Sequence, residues 1–231
     1  MTPDLAIVTG AGQGFGLALA TALAARGTTV LATGRDADRL RAATADLPAV
    51  VAVPGDVTDP AHRAELVATA RRLGGLDLLV HNAGELGPAP LPALAAYPVD
   101  ALRAVLESTV LAPLALTQLA LPLLRESAAP AIITLSSDAA VEAYEGWGGY
   151  GAAKAALDHL AAVLGVEEPL IRVHAVDPGD MRTAMHQRAH PGEDISDRPE
   201  PHTAVPAFLR LIDERPPSGR HRAAELAPVV S

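Results

Sequence analysis

The chain of 231 residues contains no cysteine. This absence excludes disulfide bonds, thiolate metal sites and a cysteine nucleophile. Aromatic residues make up only 3% of the sequence, but 49% is hydrophobic and 19% is charged, which is ordinary for a globular protein and excludes disorder over most of the chain. A chain of this size has room for one substantial core, so we expect a single domain over residues 1–231.

Basic charge is scarce, and no long hydrophobic run is present. The net charge of −9 disfavours a nucleic-acid partner, because binding a phosphate backbone needs a concentrated basic face. The most apolar stretch, residues 110–124, is interrupted by Pro113 and Pro122 and predicts a buried helix rather than a membrane span. The first residues hold an aspartate and no basic cluster, so we expect no secretory signal. We therefore expect a cytoplasmic protein with neither nucleic acid nor membrane as a partner.

Lysine and asparagine each occur only once in the chain. Lys154 is the only lysine, since arginine fills all the other basic positions, and Asn82 is the only asparagine. In a chain that uses arginine as its general surface cation, a single lysine is expected where a guanidinium would not serve. Chance retention is the alternative.

Apolar, β-branched runs alternate with helical patterns along the whole chain. Each apolar run is short and is followed by a Gly, Asp or Asn turn, which is typical of a parallel sheet covered on both faces. The strict alternation predicts an α/β fold with a three-layer, doubly wound Rossmann-type sheet, in which ligands bind beyond the carboxyl ends of the strands. Strands are predicted at residues 5–9, 29–33, 50–53, 76–81, 131–135, 171–176 and, more weakly, 219–223, and helices at 14–26, 37–47, 60–73, 98–125, 149–164 and 203–214.

A glycine-rich turn follows the first predicted strand and leads into an alanine-rich helix. Its glycines allow a tight turn and let backbone N–H groups approach a pyrophosphate, and the helix N-terminus adds partial positive charge there. A plain strand-to-helix turn is the alternative, but the position in an alternating chain favours a dinucleotide site. The candidate cofactor-binding residues of this turn are Gly10, Gln13, Gly14, Phe15 and Gly16.

The second strand ends at Gly34 and Arg35, where a dinucleotide-binding sheet usually places an acidic residue for the ribose 2′-hydroxyl. Glycine leaves room, and the guanidinium can bind a 2′-phosphate in forked geometry, so NADP(H) is favoured over NAD(H), which stays open as an alternative. Asp36 and Asp38 follow closely and would weaken the positive potential. Arg35 could equally be a solvated surface charge.

Two further strand ends contribute candidates for cofactor binding. Asp56, with Val57, follows the third strand and would lie near the adenine amino group, although Asp56 could instead cap the next turn. Asn82, Ala83 and Gly84 end the fourth strand, where small residues let a cofactor lie against the backbone.

The fifth strand and the helix after it carry the candidate catalytic residues. Tyr150 and Lys154 are four residues apart and share one helix face, so the ammonium is expected to lower the pKa of the phenol towards neutrality. Tyr150 would then act as general acid in carbonyl reduction and as general base in alcohol oxidation. Ser137 would orient the substrate oxygen. An ordinary amphipathic pair with a snorkelling lysine is the alternative for Tyr150 and Lys154.

These motifs, in this order and spacing, resemble the pattern TGxxxGxG, NAG, Ser, YxxxK and PG of the short-chain dehydrogenase/reductase family, over nearly the whole chain. The resemblance implies a Rossmann-type fold, hydride transfer between NAD(P)(H) and an alcohol or carbonyl, and contact of Lys154 with the nicotinamide ribose. The matching residues are Thr9, Gly10, Gly14 and Gly16, then Asn82, Ala83 and Gly84, then Ser137, Tyr150 and Lys154, and last Pro178, Gly179 and Thr183.

The same resemblance supplies further expectations. Pro178, Gly179 and Thr183 would approach the nicotinamide, residues 180–203 would form a substrate lid, and the chain would form a homodimer or homotetramer. Thr109 stands where the family commonly has an asparagine that holds a water in a proton relay. A hydroxyl can still hold a water, but with a different reach, so Thr109 is a candidate catalytic residue. A hydroxyl bonded to its own helix backbone is the alternative.

The favoured function is an NADP(H)-dependent alcohol dehydrogenase or carbonyl reductase that acts on a small or medium-sized carbonyl compound or secondary alcohol. The same fold used as a non-catalytic dinucleotide sensor or scaffold is one alternative, and a non-redox lyase or epimerase is another. His186 and His190 have a metal-ligand spacing, but Pro191 follows and no acidic ligand is fixed beside them, so we predict no metal site.

Overall fold

The computed structural model describes residues 2–226. Its centre is a sheet of seven parallel strands in the order β3-β2-β1-β4-β5-β6-β7. The order reverses next to β1, so the chain winds in both directions from the middle of the sheet, as predicted. The strands are β1 (Leu5–Thr9), β2 (Thr29–Thr33), β3 (Val50–Ala52), β4 (Leu78–His81), β5 (Ala131–Leu135), β6 (Arg172–Asp177) and β7 (Gly219–Arg222).

Helices cover both faces of the sheet and complete three layers. They are α1 (Gly14–Ala25), α2 (Ala37–Thr44), α3 (Pro60–Arg72), α4 (Val99–Leu106), α5 (Ala112–Glu126), α6 (Gly148–Glu167), α7 (Ala184–Ala189), α8 (Val205–Glu214) and α9 (Ala223–Leu226).

The core lies on the two faces of the sheet because side chains alternate along each strand. In β1, Ala6 and Val8 face one apolar cluster, which α1 and α8 complete, whereas Leu5 and Ile7 face the other, which α3, α5 and α6 complete. Burial on both faces explains why the strands are uniformly apolar.

Helices α4 and α5 are continuous through one wide turn, Glu107–Leu111, in which the N–H of Ala112 bonds the carbonyl of Glu107 five residues back. Pro113 explains why the helix widens at this turn. It has no N–H for the carbonyl of Thr109, four residues earlier, and its ring would crowd that carbonyl in a regular α-helix. Wide turns of this kind occur frequently at functional sites, and this one holds Thr109.

The joined helix, residues 99–126, is long and apolar enough to cross a membrane by length and composition, but half of its most apolar window is buried. Leu116, Ala120 and Leu123 pack in the core cluster beneath the sheet. This burial is what the sequence predicted for the stretch.

The predicted fold class and every predicted strand are confirmed, with shifts of one or two residues at several ends. The main differences concern helices. The second helix ends at Thr44 rather than at residue 47, the helix predicted at 149–164 extends to Glu167, and the segment predicted as a lid, 180–203, contains α7. Thr183 begins α7 by accepting a hydrogen bond from the N–H of His186, a local capping signal that the surrounding polar residues obscured.

Phe208 tests the packing of α8 on α1. Its ring is fully buried, with its centroid 4.5 Å from that of Phe15. We expect Phe208→Ala to lower the free energy of unfolding by about 3 to 5 kcal/mol, since it leaves a cavity in the core. Leu73→Ala, at the half-exposed end of α3, should cost less than about 1 kcal/mol. Equal losses in urea unfolding of the two variants would show that α8 adds little to the core.

Candidate active site

Two adjoining cavities lie at the carboxyl ends of the strands. The first, here called the long groove, has a volume of about 650 Å³ and runs from Arg35 past the glycine-rich turn to Lys154. The second, here called the side pocket, has a volume of about 360 Å³ and is bordered by Ser137 and residues of the 180–203 segment. Tyr150 lines both cavities and therefore stands at their junction.

A set of hydrogen bonds holds the glycine-rich turn against the end of β4. Asn82 Nδ2 donates to the carbonyls of Thr9, at 2.8 Å, and Gly10, at 3.0 Å. Thr9 Oγ1 accepts from the backbone N–H groups of Asn82 and Ala83. Any Cβ at Gly16 would collide with the Gly10 carbonyl and the Asn82 amide. Asn82 and Gly16, predicted as cofactor contacts, thus shape the turn from behind.

The first turn of α1 faces the long groove without a capping side chain. Gln13 precedes the helix in extended conformation, and its side chain accepts a hydrogen bond from Arg39 instead of capping the backbone. Gly14 has a φ of 58°, a left-handed conformation that favours glycine. Phe15 borders the groove, and its ring packs on Phe208 in the core.

Two arginines stand at the end of the long groove where the adenosine of a dinucleotide is expected. Arg35 pairs with Glu85, with 2.5 Å between Nη2 and Oε1. Arg39, which sequence reasoning missed, pairs with Asp36 at 3.1 Å and donates to Gln13 at 2.9 Å. Both arginines line the groove together with their carboxylate partners, Glu85 and Asp36, so this end of the groove holds two ion pairs.

The candidate residues after β3 have mainly local contacts. Asp56 Oδ1 accepts hydrogen bonds from the N–H and the hydroxyl of Thr58, so this side chain caps the turn while it also lines the groove. Val57 is almost fully buried, and its carbonyl accepts a hydrogen bond from Arg63. The capping interpretation of Asp56 therefore describes its protein contacts.

Ser137 lies at the end of β5 beside a carboxylate. Its Oγ donates to Asp138 Oδ1 at 2.9 Å, and Asp138 Oδ2 accepts from the hydroxyl of Tyr144 at 3.1 Å. These three side chains line the side pocket. Asp138 directly follows the predicted serine in the sequence, and that adjacency was the available signal for it.

Lys154 is buried, and its Nζ donates to the carbonyl of Leu135 at 2.6 Å and lies 5.5 Å from the centre of the Tyr150 ring. Burial lowers the pKa of Lys154 to about 8, and the carboxylate of Asp158 opposes part of that shift. The tyrosine and the lysine do share one helix face, as predicted.

The pKa of the Tyr150 phenol shifts in the direction opposite to the expected one. Burial raises the pKa of Tyr150, the carboxylates of Asp138, Asp177 and Asp180 raise it further, and a hydrogen bond with Ser137 acts in the opposite direction. The expectation that the ammonium brings this pKa towards neutrality is therefore wrong for the protein groups by themselves. Desolvation disfavours the phenolate more than the available contacts stabilise it.

Arg220, on strand β7, binds residues next to the candidate catalytic side chains. Arg220 on β7 contacts the carboxylate of Asp158 at 3.0 Å and that of Asp177 at 3.6 Å, and it donates to the carbonyl of Ser137 at 2.9 Å. Asp158 also accepts from Ser136 at 2.6 Å. No sequence pattern pointed to Arg220, because it is far from every motif along the chain.

Thr109 is fully buried, and its Oγ1 accepts a hydrogen bond from the N–H of Glu85 at 3.3 Å. A Cβ placed on Gly84 would stand 3.3 Å from Thr109 Oγ1 and 3.9 Å from Lys154 Nζ. Both polar atoms thus border the same space beside Gly84. The part of Thr109 in a proton relay stays a prediction.

The segment after β6 closes over the groove. Gly179 has a φ of 76°, and its N–H donates to Asp177 at 2.9 Å. The Thr183 methyl group stands 3.6 Å from the place of a Cβ on Gly14, so this segment reaches the glycine-rich turn. Pro178 lines both cavities, Gly179 the side pocket, and Thr183 both.

Most of the predicted residues thus come together. The candidates that line the long groove are Gly10, Gln13, Gly14, Phe15, Arg35, Asp56, Val57, Asn82, Ala83, Gly84, Tyr150, Lys154, Pro178 and Thr183.

A match to the family described as short chain dehydrogenase covers residues 4–194. The chain belongs to the short chain dehydrogenase family. It is 35% identical over 195 residues to the 1-deoxy-11-beta-hydroxypentalenate dehydrogenase of Streptomyces avermitilis, with 80% of this chain and 71% of that relative covered. As a member of this family, the protein is an NAD(P)-dependent oxidoreductase.

Solved structures of short chain dehydrogenases have the same fold. One from Shigella flexneri 2a, complexed with NADP, has a TM-score of 0.90 and 29% identity, and the match covers 96% of this chain and 97% of that chain. Another from Escherichia coli CFT073, complexed with NADPH, has a TM-score of 0.89 and 29% identity and covers 95% and 96%.

The residues of this short chain dehydrogenase fit a dinucleotide. A Cβ on Gly10 would approach the backbone of Ala83 and the amide of Asn82 closely, whereas Gly34 leaves open space, with Gly12 N as the nearest atom at 3.7 Å. The uncapped first turn of α1 offers N–H groups between these points. The groove thus offers backbone N–H groups at the start of α1 and arginine side chains at its end beside β2, the two kinds of donor that phosphate groups need.

Asp138 offers a test of the electrostatics around Tyr150. Asp138→Asn removes a negative charge that raises the pKa of Tyr150. With Tyr150 as the predicted general base, alcohol oxidation needs the phenolate form, so we expect the rising limb of kcat/KM against pH to move to lower pH in this variant. Asp38→Asn, on exposed α2, is the matched control and should leave the profile in place. An unchanged profile in Asp138→Asn would show that this carboxylate does not act on the phenol.

Proposed function

We propose that the protein is an NADP(H)-preferring carbonyl reductase and alcohol dehydrogenase for small or medium-sized substrates. The observation that carries this proposal is the meeting of Ser137, Tyr150 and Lys154 where the long groove joins the side pocket. A carbonyl group in the side pocket would thus stand between a proton donor and a cofactor in the groove.

Tyr150 is the proposed general acid in the direction of reduction. Its raised pKa keeps the phenol protonated at neutral pH, so it can donate its proton to an oxygen that gains charge. When bound, the reduced nicotinamide supplies the hydride. Ser137 orients the substrate oxygen, and the buried ammonium of Lys154 stabilises negative charge on the phenolate side of the reaction.

The preference for NADP(H) rests on the arginines at the adenosine end. Arg35 and Arg39 can both reach a 2′-phosphate, and Gly34 leaves room for it. The two similar structures complexed with NADP and NADPH agree with this choice. NAD(H) is the alternative cofactor.

The side pocket suggests the charge of the substrate. Asp138 and Asp180 line it together with apolar residues such as Trp147 and Met185, and within residues 2–226 no lysine or arginine does so. A substrate carboxylate would meet like charge, so a neutral or cationic carbonyl compound is the better fit. Residues 180–203, which border the pocket, are the proposed substrate lid.

The proposal also includes the oligomeric state and the cellular location of the protein. Exposed apolar side chains lie on the outer faces of α5 and α6, including Leu114, Leu119 and Val163. Covering them by a second copy of the chain would remove apolar surface from water, which supports a homodimer or homotetramer. A cytoplasmic location belongs to the same proposal.

Tyr150→Phe tests the catalytic assignment. Removal of the acidic proton should lower kcat for NADPH-dependent carbonyl reduction at least about 100-fold. NADPH affinity, measured by fluorescence, should stay within about twofold, because the phenyl ring remains. Tyr97→Phe is the matched control, since the Tyr97 hydroxyl is buried without a hydrogen-bond partner.

Equal turnover by the wild type and Tyr150→Phe would refute the mechanism. Dinucleotide binding without turnover of any carbonyl compound would favour the sensor or scaffold. Substrate conversion without a net change in nicotinamide absorbance would favour the lyase or epimerase.

Arg35→Gln tests the cofactor assignment. Loss of a charged hydrogen bond to the 2′-phosphate should weaken NADPH binding by about 10-fold or more, with little change for NADH. Arg72→Gln removes the same charge at the far end of α3 and should change neither affinity. Equal effects of Arg35→Gln on both cofactors would contradict a contact with the 2′-phosphate.

A further inference from the structure

The ion pair between Arg35 and Glu85 joins two segments that are far apart in the chain. Arg35 follows β2, Glu85 follows β4, and β1 lies between these strands in the sheet. The side chains therefore meet above the carboxyl end of β1, with 2.5 Å between Nη2 and Oε1. Both residues line the long groove, so the pair lies inside the cavity.

Glu85 is held in place by its backbone. Its N–H donates to Thr109 Oγ1, and the preceding Asn82 and Ala83 are tied to Thr9. The Glu85 side chain is 23% exposed, whereas that of Arg35 is 65% exposed. A partly buried carboxylate on an anchored backbone thus faces an exposed guanidinium.

We propose that Glu85 competes with the 2′-phosphate of NADP(H) for Arg35 and thereby limits how strongly the enzyme prefers NADP(H) over NAD(H). This inference rests on the proposed NADP(H) preference. Arg35 can present its forked donors to a carboxylate or to a phosphate, and one set of donors cannot serve both fully. Binding of a 2′-phosphate therefore displaces Glu85.

The competition affects the two cofactors differently. A 2′-phosphate must break the ion pair and then lies near the released carboxylate, which repels it. A ribose 2′-hydroxyl is neutral and leaves the pair intact. Arg39 does not share this competition with Glu85, because its partners are Asp36 and Gln13.

Adenosine fragments isolate this effect from catalysis. Adenosine 2′,5′-bisphosphate carries the 2′-phosphate, and adenosine 5′-monophosphate lacks it, so calorimetric titration of both separates the phosphate contact from the rest. We expect Glu85→Gln to tighten binding of the bisphosphate about fivefold, the equivalent of one partly exposed ion pair, and to leave the monophosphate within about twofold. Glu126→Gln removes an equal charge from an exposed site on α5 and should change neither affinity.

Arg35→Gln and the double variant complete the experiment. Glu85→Gln should no longer tighten binding of the bisphosphate when Arg35 is already replaced, because the Glu85 carboxylate then has no Arg35 guanidinium for which to compete. If Arg35→Gln weakens the bisphosphate but Glu85→Gln does not tighten it, the competition is refuted while the NADP(H) preference stands. Weaker binding of both fragments in Glu85→Gln would also refute it, since Glu85 would then hold the ribose. If Arg35→Gln leaves the affinity for the bisphosphate unchanged, Arg35 does not bind the 2′-phosphate and the competition is refuted; if the wild type binds the bisphosphate no more tightly than the monophosphate, the NADP(H) preference itself is wrong.

Discussion

The site depends on the clamp between β1 and β4. One amide, that of Asn82, binds two successive carbonyls at the end of β1, and one hydroxyl, that of Thr9, binds two successive N–H groups at the end of β4. These bonds fix the opening of the glycine-rich turn and the position of Glu85 at the same time. Because both hydrogen bonds come from this one partly buried amide, its orientation is fixed, which gives the turn a defined shape.

The sequence predicted the parts of the structure that local chemistry determines. Strands β1 and β5 are visible in the sequence as short apolar runs. Tyr150 and Lys154 lie on one helix face because four residues make about one turn. Residues whose contacts come from distant segments were not predictable in this way. Glu85 meets Arg35 only because two strands flank β1, and Arg220 reaches Ser137 only through pairing of β7 with β6.

The error about the Tyr150 pKa has the same origin. Helix spacing correctly placed the ammonium on the same face as the phenol, but the sign of the pKa change depends on all charges around the ring and on its loss of water. Three of those charges come from separate places in the chain: Asp138 follows β5, Asp177 is the last residue of β6, and Asp180 follows β6. The protein environment thus favours a protonated phenol, which suits proton donation more than proton removal.

Arg220 gives the last strand a part in assembling the reaction centre. It binds the Ser137 carbonyl and the carboxylates of Asp158 and Asp177, so strand order and site geometry are coupled through one guanidinium. During synthesis on the ribosome, β7 leaves the exit tunnel after Ser137, Tyr150 and Lys154. Ser137 therefore gains its contact with Arg220 only when the sheet accepts β7.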